Sequence, residues 1–97
     1  MAIIKVIQED INKGEIRDCN KCPIARALNR ILNFSAFADI KGEVIYIRPT
    51  VIDQEWAPAL QYFKTPEIAL DFINNFDCNI TVYPFEFELN IDPVYLK

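Results

Sequence analysis

The sequence predicts an α+β fold in a single layer: a mostly antiparallel sheet of about four strands with two helices on one face, in the order β-α-β-β-α-β. Three observations lead there. Stretches near both ends alternate apolar and polar residues with a period of two; two segments, each opened by a proline, repeat apolar residues at three and four; and a Lys41-Gly42 turn joins two apolar runs. Glu86 and Glu88 alternate with Phe85, Phe87 and Leu89, so the last strand has one solvated face and the helices belong on the other.

The elements follow in order. Ala2 to Gln8 is rich in isoleucine and valine and reads as the first strand. Glu9 to Gly14 reads as one helical turn anchored by Ile11, with Gly14 expected at positive φ to end it. A charged loop runs to Cys22. Pro23 suits the first position of a helix, and Ile24, Ala27, Leu28, Ile31 and Leu32 supply its apolar stripe. Arg26 and Arg30, with Asn29 and Asn33 beside them, lie on the opposite face, which is therefore wet or occupied by a partner.

Ala36 to Ile40 and Val44 to Ile47 form a β-hairpin about Lys41 and Gly42 that ends before Pro49. Thr50 to Lys64, interrupted by Pro58, is expected to be an irregular, partly ordered excursion. Thr65 is the expected N-cap of a second helix, with Pro66 and Glu67 behind it and Ile68, Ala69, Phe72, Ile73 and Phe76 as its inner stripe. Asp77 to Asn79 end that helix, and Phe85 to Leu89 form the last strand. Residues from Asn90 onward are expected to trail off as a loose tail.

With 97 residues, 52% of them hydrophobic and 25% charged, the chain is read as a single domain over residues 1–97. Met1 to Ile7 is too short for a signal peptide, and no apolar run approaches the roughly 20 residues that span a bilayer. A cytoplasmic location away from membranes is expected, and three cysteines do not make the framework of a secreted disulfide scaffold. The formal charge of −4 argues against nucleic acid as a partner, but it is unevenly spread. Through Phe34 six cations face four anions, whereas from Ser35 four cations face ten anions. The two ends either pair within the fold or leave a local anion site.

The one local motif with chemistry is Cys19-Asn20-Lys21-Cys22-Pro23. As a redox pair it would use Lys21 and the helix start to stabilise a thiolate, yet both cysteines precede the helix instead of the second lying inside it. A zinc site needs about four ligands; the chain has no histidine and only Cys78 besides, so no metal site or cofactor is assigned. The remaining reading makes Cys22 a small residue at the helix entry and Cys19 a loop thiol. Histidine-based triads and glycine-rich phosphate loops are excluded by composition, and no catalytic residue is named; Glu86 with Glu88, and Asp71 and Asp77, read as solvated acids.

Twelve aromatic residues exceed what a small core easily hides. Trp56, Tyr62 and Phe63 are the candidates for an interface with a protein partner or with a second copy in a homodimer.

Asp10-Ile11, Gly14, Cys22-Pro23-Ile24-Ala25, Ala27-Leu28, Phe76-Asp77 and Pro84-Phe85-Glu86-Phe87 together resemble a group of small uncharacterised proteins of bacteriophages and bacteria. The resemblance covers both ends and leaves Ser35 to Lys64 outside. It implies a phage or mobile-element accessory protein that acts by binding. The functional expectation is a small non-enzymatic binder that docks on a host protein or holds a small anionic ligand at Lys21, Arg26, Arg30 and the helix N-terminus at Pro23. A thiol-dependent module at Cys19 and Cys22, and an acidic mimic of nucleic acid, are the alternatives.

Overall fold

The alternation near the two ends of the chain has a direct structural outcome: those segments pair with each other. A computed structural model describes residues 1–50 and 58–97. In it β1 (Ala2–Val6) runs antiparallel to β5 (Phe85–Leu89), from Ala2 opposite Leu89 to Val6 opposite Phe85. Ala2, Ile4, Val6, Phe87 and Leu89 are buried on one face, while Ile3, Lys5, Glu86 and Glu88 are exposed on the other. Lys5 stands opposite Glu86, an opposite-charge cross-strand pair.

Between them come α1 (Gln8–Lys13), α2 (Pro23–Ile31), β2 (Ala36–Lys41), β3 (Val44–Pro49), β4 (Gln61–Lys64) and α3 (Glu67–Asp77). The hairpin forms as expected, with Lys41 opposite Val44 and Gly42 at φ +57 in the two-residue turn. β4 then pairs antiparallel with β3, so the described residues hold two antiparallel sheets, β1-β5 and β2-β3-β4. The α+β class stands. The single sheet of about four strands does not, because β4 was hidden: four residues between Pro58 and Pro66 give too short an alternation to be read as a strand.

α2 lies between the sheets. Pro23, Ile24, Ala25, Ala27 and Leu28 are buried, and the helix packs on both β1 and β2. α3 buries Ala69, Phe72 and Ile73, and sets the Phe72 ring against Phe85 in a tilted pair with centroids 4.7 Å apart. Ile68, expected inside, sits at the rim of this stripe and is exposed. Thr65 is not the cap of α3. Pro66 takes that position, and the buried Thr65 hydroxyl donates to the Gly42 carbonyl at 2.8 Å, tying the start of α3 to the hairpin turn.

The C-terminal residues are docked where a loose tail was expected. Ile91 is 1% exposed, and a 3-10 turn covers Pro93–Tyr95. The Asn33 N–H donates to the Tyr95 carbonyl at 2.8 Å, the Lys97 N–H donates to the Ile31 carbonyl at 2.9 Å, and the Gln61 side chain accepts the Asp92 N–H at 2.8 Å. Ile91 continues the alternation of Phe85, Phe87 and Leu89 one step past the end of β5, so its burial follows the same period of two, which the expectation of a loose tail from Asn90 cut short. No helix among the described residues is long and apolar enough to cross a membrane.

Candidate anion-binding cleft

A fully buried carboxylate organises the site. Asp10 occupies the third position of α1, and its Oδ2 accepts the Ile7 N–H at 3.1 Å, one of the donors a helix start leaves unpaired. Ile7 has no polar side chain to return the bond, so its backbone carbonyl accepts from the Asp10 N–H at 3.0 Å. Asp10 is 0% exposed, and a buried carboxylate requires a cation. Arg30 of α2 supplies it, donating from Nη2 to Asp10 Oδ1 while its Nη1 donates to the Lys5 carbonyl at 3.2 Å. Arg30 therefore joins α2 to both α1 and β1.

The helix positions that make this contact depend on two small features of the sequence. Cys22 caps α2, its Sγ accepting the Ala25 N–H at 3.4 Å, with Pro23 next in the first turn. Gly14 caps α1 at φ −68, an ordinary extended conformation and not the positive φ expected from sequence. Glycine is needed there for space: a Cβ would lie 2.7 Å from both the Asp10 carbonyl and the Pro23 ring. The missing side chain lets the end of α1 meet the start of α2, which brings Asp10 under Arg26 and Arg30.

Arg26 is placed differently from Arg30, one turn away on the same helix. Its Nε stands 3.7 Å from Asp10 Oδ1, too far for a hydrogen bond, and this buried nitrogen has no hydrogen-bond partner among the described residues. Around it opens a cleft of about 410 Å³ lined by Lys13, Asn20, Lys21, Arg26, Asn29 and Arg30, with Asp10 as the one acidic lining residue among the described residues. Lys21 is positioned by an Asx turn in which Asp18 Oδ1 accepts the N–H groups of Asn20 and Lys21 at 2.9 and 3.0 Å. Asn29 Oδ1 accepts the Ala38 N–H at 2.8 Å, which fixes that amide against β2.

At the rim Lys13 pairs with Glu9 at 2.8 Å, and Lys21 lies 3.9 Å from Glu15; both pairs are exposed and weak. The hydrogen bond from Lys13 and its charge hold the Glu9 carboxyl below the usual range, and the charges of Arg26 and Arg30 add to this. The positive field of the cleft thus reaches its rim. Asp39, the other buried carboxylate among the described residues, is satisfied elsewhere by Arg48 Nε at 2.6 Å.

Lys21, Arg26 and Arg30 are therefore brought together, with Asn29 beside the arginines as expected, and the residues that sequence reading missed are Asp10, Lys13 and Asn20. Nothing in the local pattern marks Asp10 as buried, since an acid in a first helical turn is ordinary at an exposed helix start. The expected contribution of the α2 N-terminus is absent: Pro23, Ile24 and Ala25 are buried and the Ala25 N–H is used by Cys22. The cleft is built from side chains.

Other sequence candidates separate. Tyr62 is exposed on β4, Phe63 is half-buried against the core, and Trp56 lies outside the described residues. Cys22 is buried, and loss of solvent pushes its thiol up to about 11, partly offset by the N–H groups of Ala25 and Ile24, so its thiolate is scarce at neutral pH. Cys19 is half-buried and shares with Cys22 a smaller pocket of about 220 Å³ that Arg17 and Lys41 also line. Among the described residues, no three Cys, Asp or Glu side chains are grouped so as to hold a metal ion. The chain has no significant match among protein-family models, curated proteins or solved structures.

Proposed function

We propose that the protein is a non-enzymatic binder of a small anionic ligand, held in the cleft between α1 and α2 by Arg26 with Lys21 and Lys13. Arg30 is a positioning residue in this reading, because its donors are already directed to Asp10 and Lys5. The observation that carries it is Arg26: a guanidinium whose buried Nε lacks a partner among the described residues, in a cation-lined cleft of a chain whose formal charge is −4. Asp10 is no free general base, since its two oxygens accept from Ile7 and Arg30. The setting of a phage or mobile-element accessory factor in the cytoplasm belongs to the same proposal and rests on the motif resemblance.

Titration with inorganic phosphate at constant ionic strength tests it. A ligand at 100 times its Kd stabilises the folded state by about 2.7 kcal/mol, readable as a rise in Tm. The wild type should respond, and Arg26→Ala should weaken binding at least tenfold. Equal phosphate affinity in Arg26→Ala and the wild type overturns the reading. A second reading, docking on a host protein or a second copy, is favoured by the exposure of Phe34 at 94% and Tyr62 at 73%. Sedimentation of the pure protein separates self-association from the monomeric binder.

A further inference from the structure

The lining of the cleft carries a statement about what surrounds the anionic group. Its volume of about 410 Å³ is much more than one phosphate group occupies and falls in the range of about 300–1,000 Å³ typical of metabolite sites. A nucleotide or an acyl phosphate would bring an aromatic base or an alkyl chain, and such groups are held by stacking or by apolar contact. Here every lining residue among the described residues is polar or charged. The remaining space offers carboxamides instead: Asn20 at the rim, and Asn29, whose oxygen is committed to the Ala38 N–H so that its NH₂ is the group left to donate. Carboxamides beside a guanidinium and two ammonium groups suit hydroxyl and phosphate oxygens of one ligand.

We infer that the cleft takes a non-aromatic polyol phosphate, of the chemical class of sugar phosphates, with the phosphoryl group on Arg26, Lys13 and Lys21 and the hydroxyls on Asn20 and Asn29. This rests on the anion-binding reading given above.

Calorimetric titration of the full-length protein with inorganic phosphate, ribose 5-phosphate and AMP separates the possibilities, because AMP is ribose 5-phosphate with an added base. Ribose 5-phosphate should bind at least fivefold more tightly than phosphate, and AMP should gain no more than about twofold over ribose 5-phosphate. The Asn20→Ala variant should lose about fivefold for ribose 5-phosphate, one hydrogen bond's worth, while keeping its phosphate affinity. Only the Asn20 backbone N–H is engaged by Asp18, so this change leaves the loop's hydrogen bond intact. Equal affinities for phosphate and ribose 5-phosphate, with Arg26 still required, overturn the polyol assignment and leave the anion site standing. AMP binding tenfold tighter than ribose 5-phosphate overturns it as well, in favour of a base-binding surface. Absence of phosphate binding removes both.

Discussion

Replacing Arg26 and Arg30 separately should give unequal losses of stability, although they are the same residue type one turn apart on α2. Arg30→Ala leaves the fully buried Asp10 carboxylate with the Ile7 N–H and an arginine nitrogen at 3.7 Å, and deprives the Lys5 carbonyl of its donor. Breaking a buried ion pair costs about 3–5 kcal/mol. The Arg30 side chain is 42% exposed, so solvent screens part of this and the lower end, about 3 kcal/mol, applies. Arg26→Ala removes no hydrogen bond made within the described residues and relieves a buried nitrogen without a partner, so its cost is about 0–1 kcal/mol. For a domain of this size 1 kcal/mol moves Tm by about 5 °C, which places the variants roughly 15 °C and under 5 °C below the wild type. Urea unfolding followed by far-ultraviolet circular dichroism gives the two free energies directly. Equal destabilisation by the two substitutions, or an Arg30→Ala cost under about 1 kcal/mol, refutes the assignment of Arg30 to the Asp10 latch.

Three further outcomes follow from the same contacts. Gly14→Ala should destabilise by about 1–3 kcal/mol and weaken phosphate binding together, because its Cβ meets the Asp10 carbonyl and the Pro23 ring at 2.7 Å and forces α1 from α2; unfolding and phosphate titration check the pairing of effects. Ile91→Ala should cost about 2–4 kcal/mol in a urea melt, the value for a buried anchor and not for a loose end. The Cys22 thiol is raised in the fold from 9.0 to about 11, so its contribution is fully present below pH 9 and is lost as pH rises through 11. Wild-type stability should therefore fall over that window relative to Cys22→Ser, whose hydroxyl still caps α2 without titrating there; parallel pH profiles for the two proteins would refute it.

The sequence was informative wherever one local period governed. The alternation of Phe85, Phe87 and Leu89 against Glu86 and Glu88, the stripe of Ile24, Ala27 and Leu28, and the hairpin about Gly42 all repeat within a few residues, and all reappear as drawn. What failed depended on distant partners. β4 becomes a strand because the β3 edge offers it backbone hydrogen bonds, and its own four residues do not require it. Ile91 is the exception, since it extends the alternation of Phe85, Phe87 and Leu89 and its burial was legible in that period. Thr65 has the chemistry of an N-cap, but the Gly42 carbonyl competes for its hydroxyl, and tertiary position decides between the two.

The cleft divides in the same way. Its cations were visible as a pair at helical spacing, whereas the distinction between them was not, because it comes from Asp10, sixteen residues before Arg26 and twenty before Arg30. A buried acid hydrogen-bonds one arginine and holds the next at a distance where attraction persists but no hydrogen bond forms. The folded chain thereby uses Arg30 for its own stability and leaves the Arg26 Nε without a hydrogen-bond partner among the described residues, beside an open cleft. A cation becomes available to a ligand when the fold orders it without consuming it. Asp10 achieves both at once, since the charge that anchors Arg30 also limits where the Arg26 guanidinium can lie. Replacing Asp10 by asparagine tests this coupling: the amide retains an acceptor for the Ile7 N–H but turns an NH₂ toward the arginines, so stability should fall and phosphate affinity should fall with it. A variant that lost stability and bound phosphate as well as the wild type would show that the latch serves the fold alone.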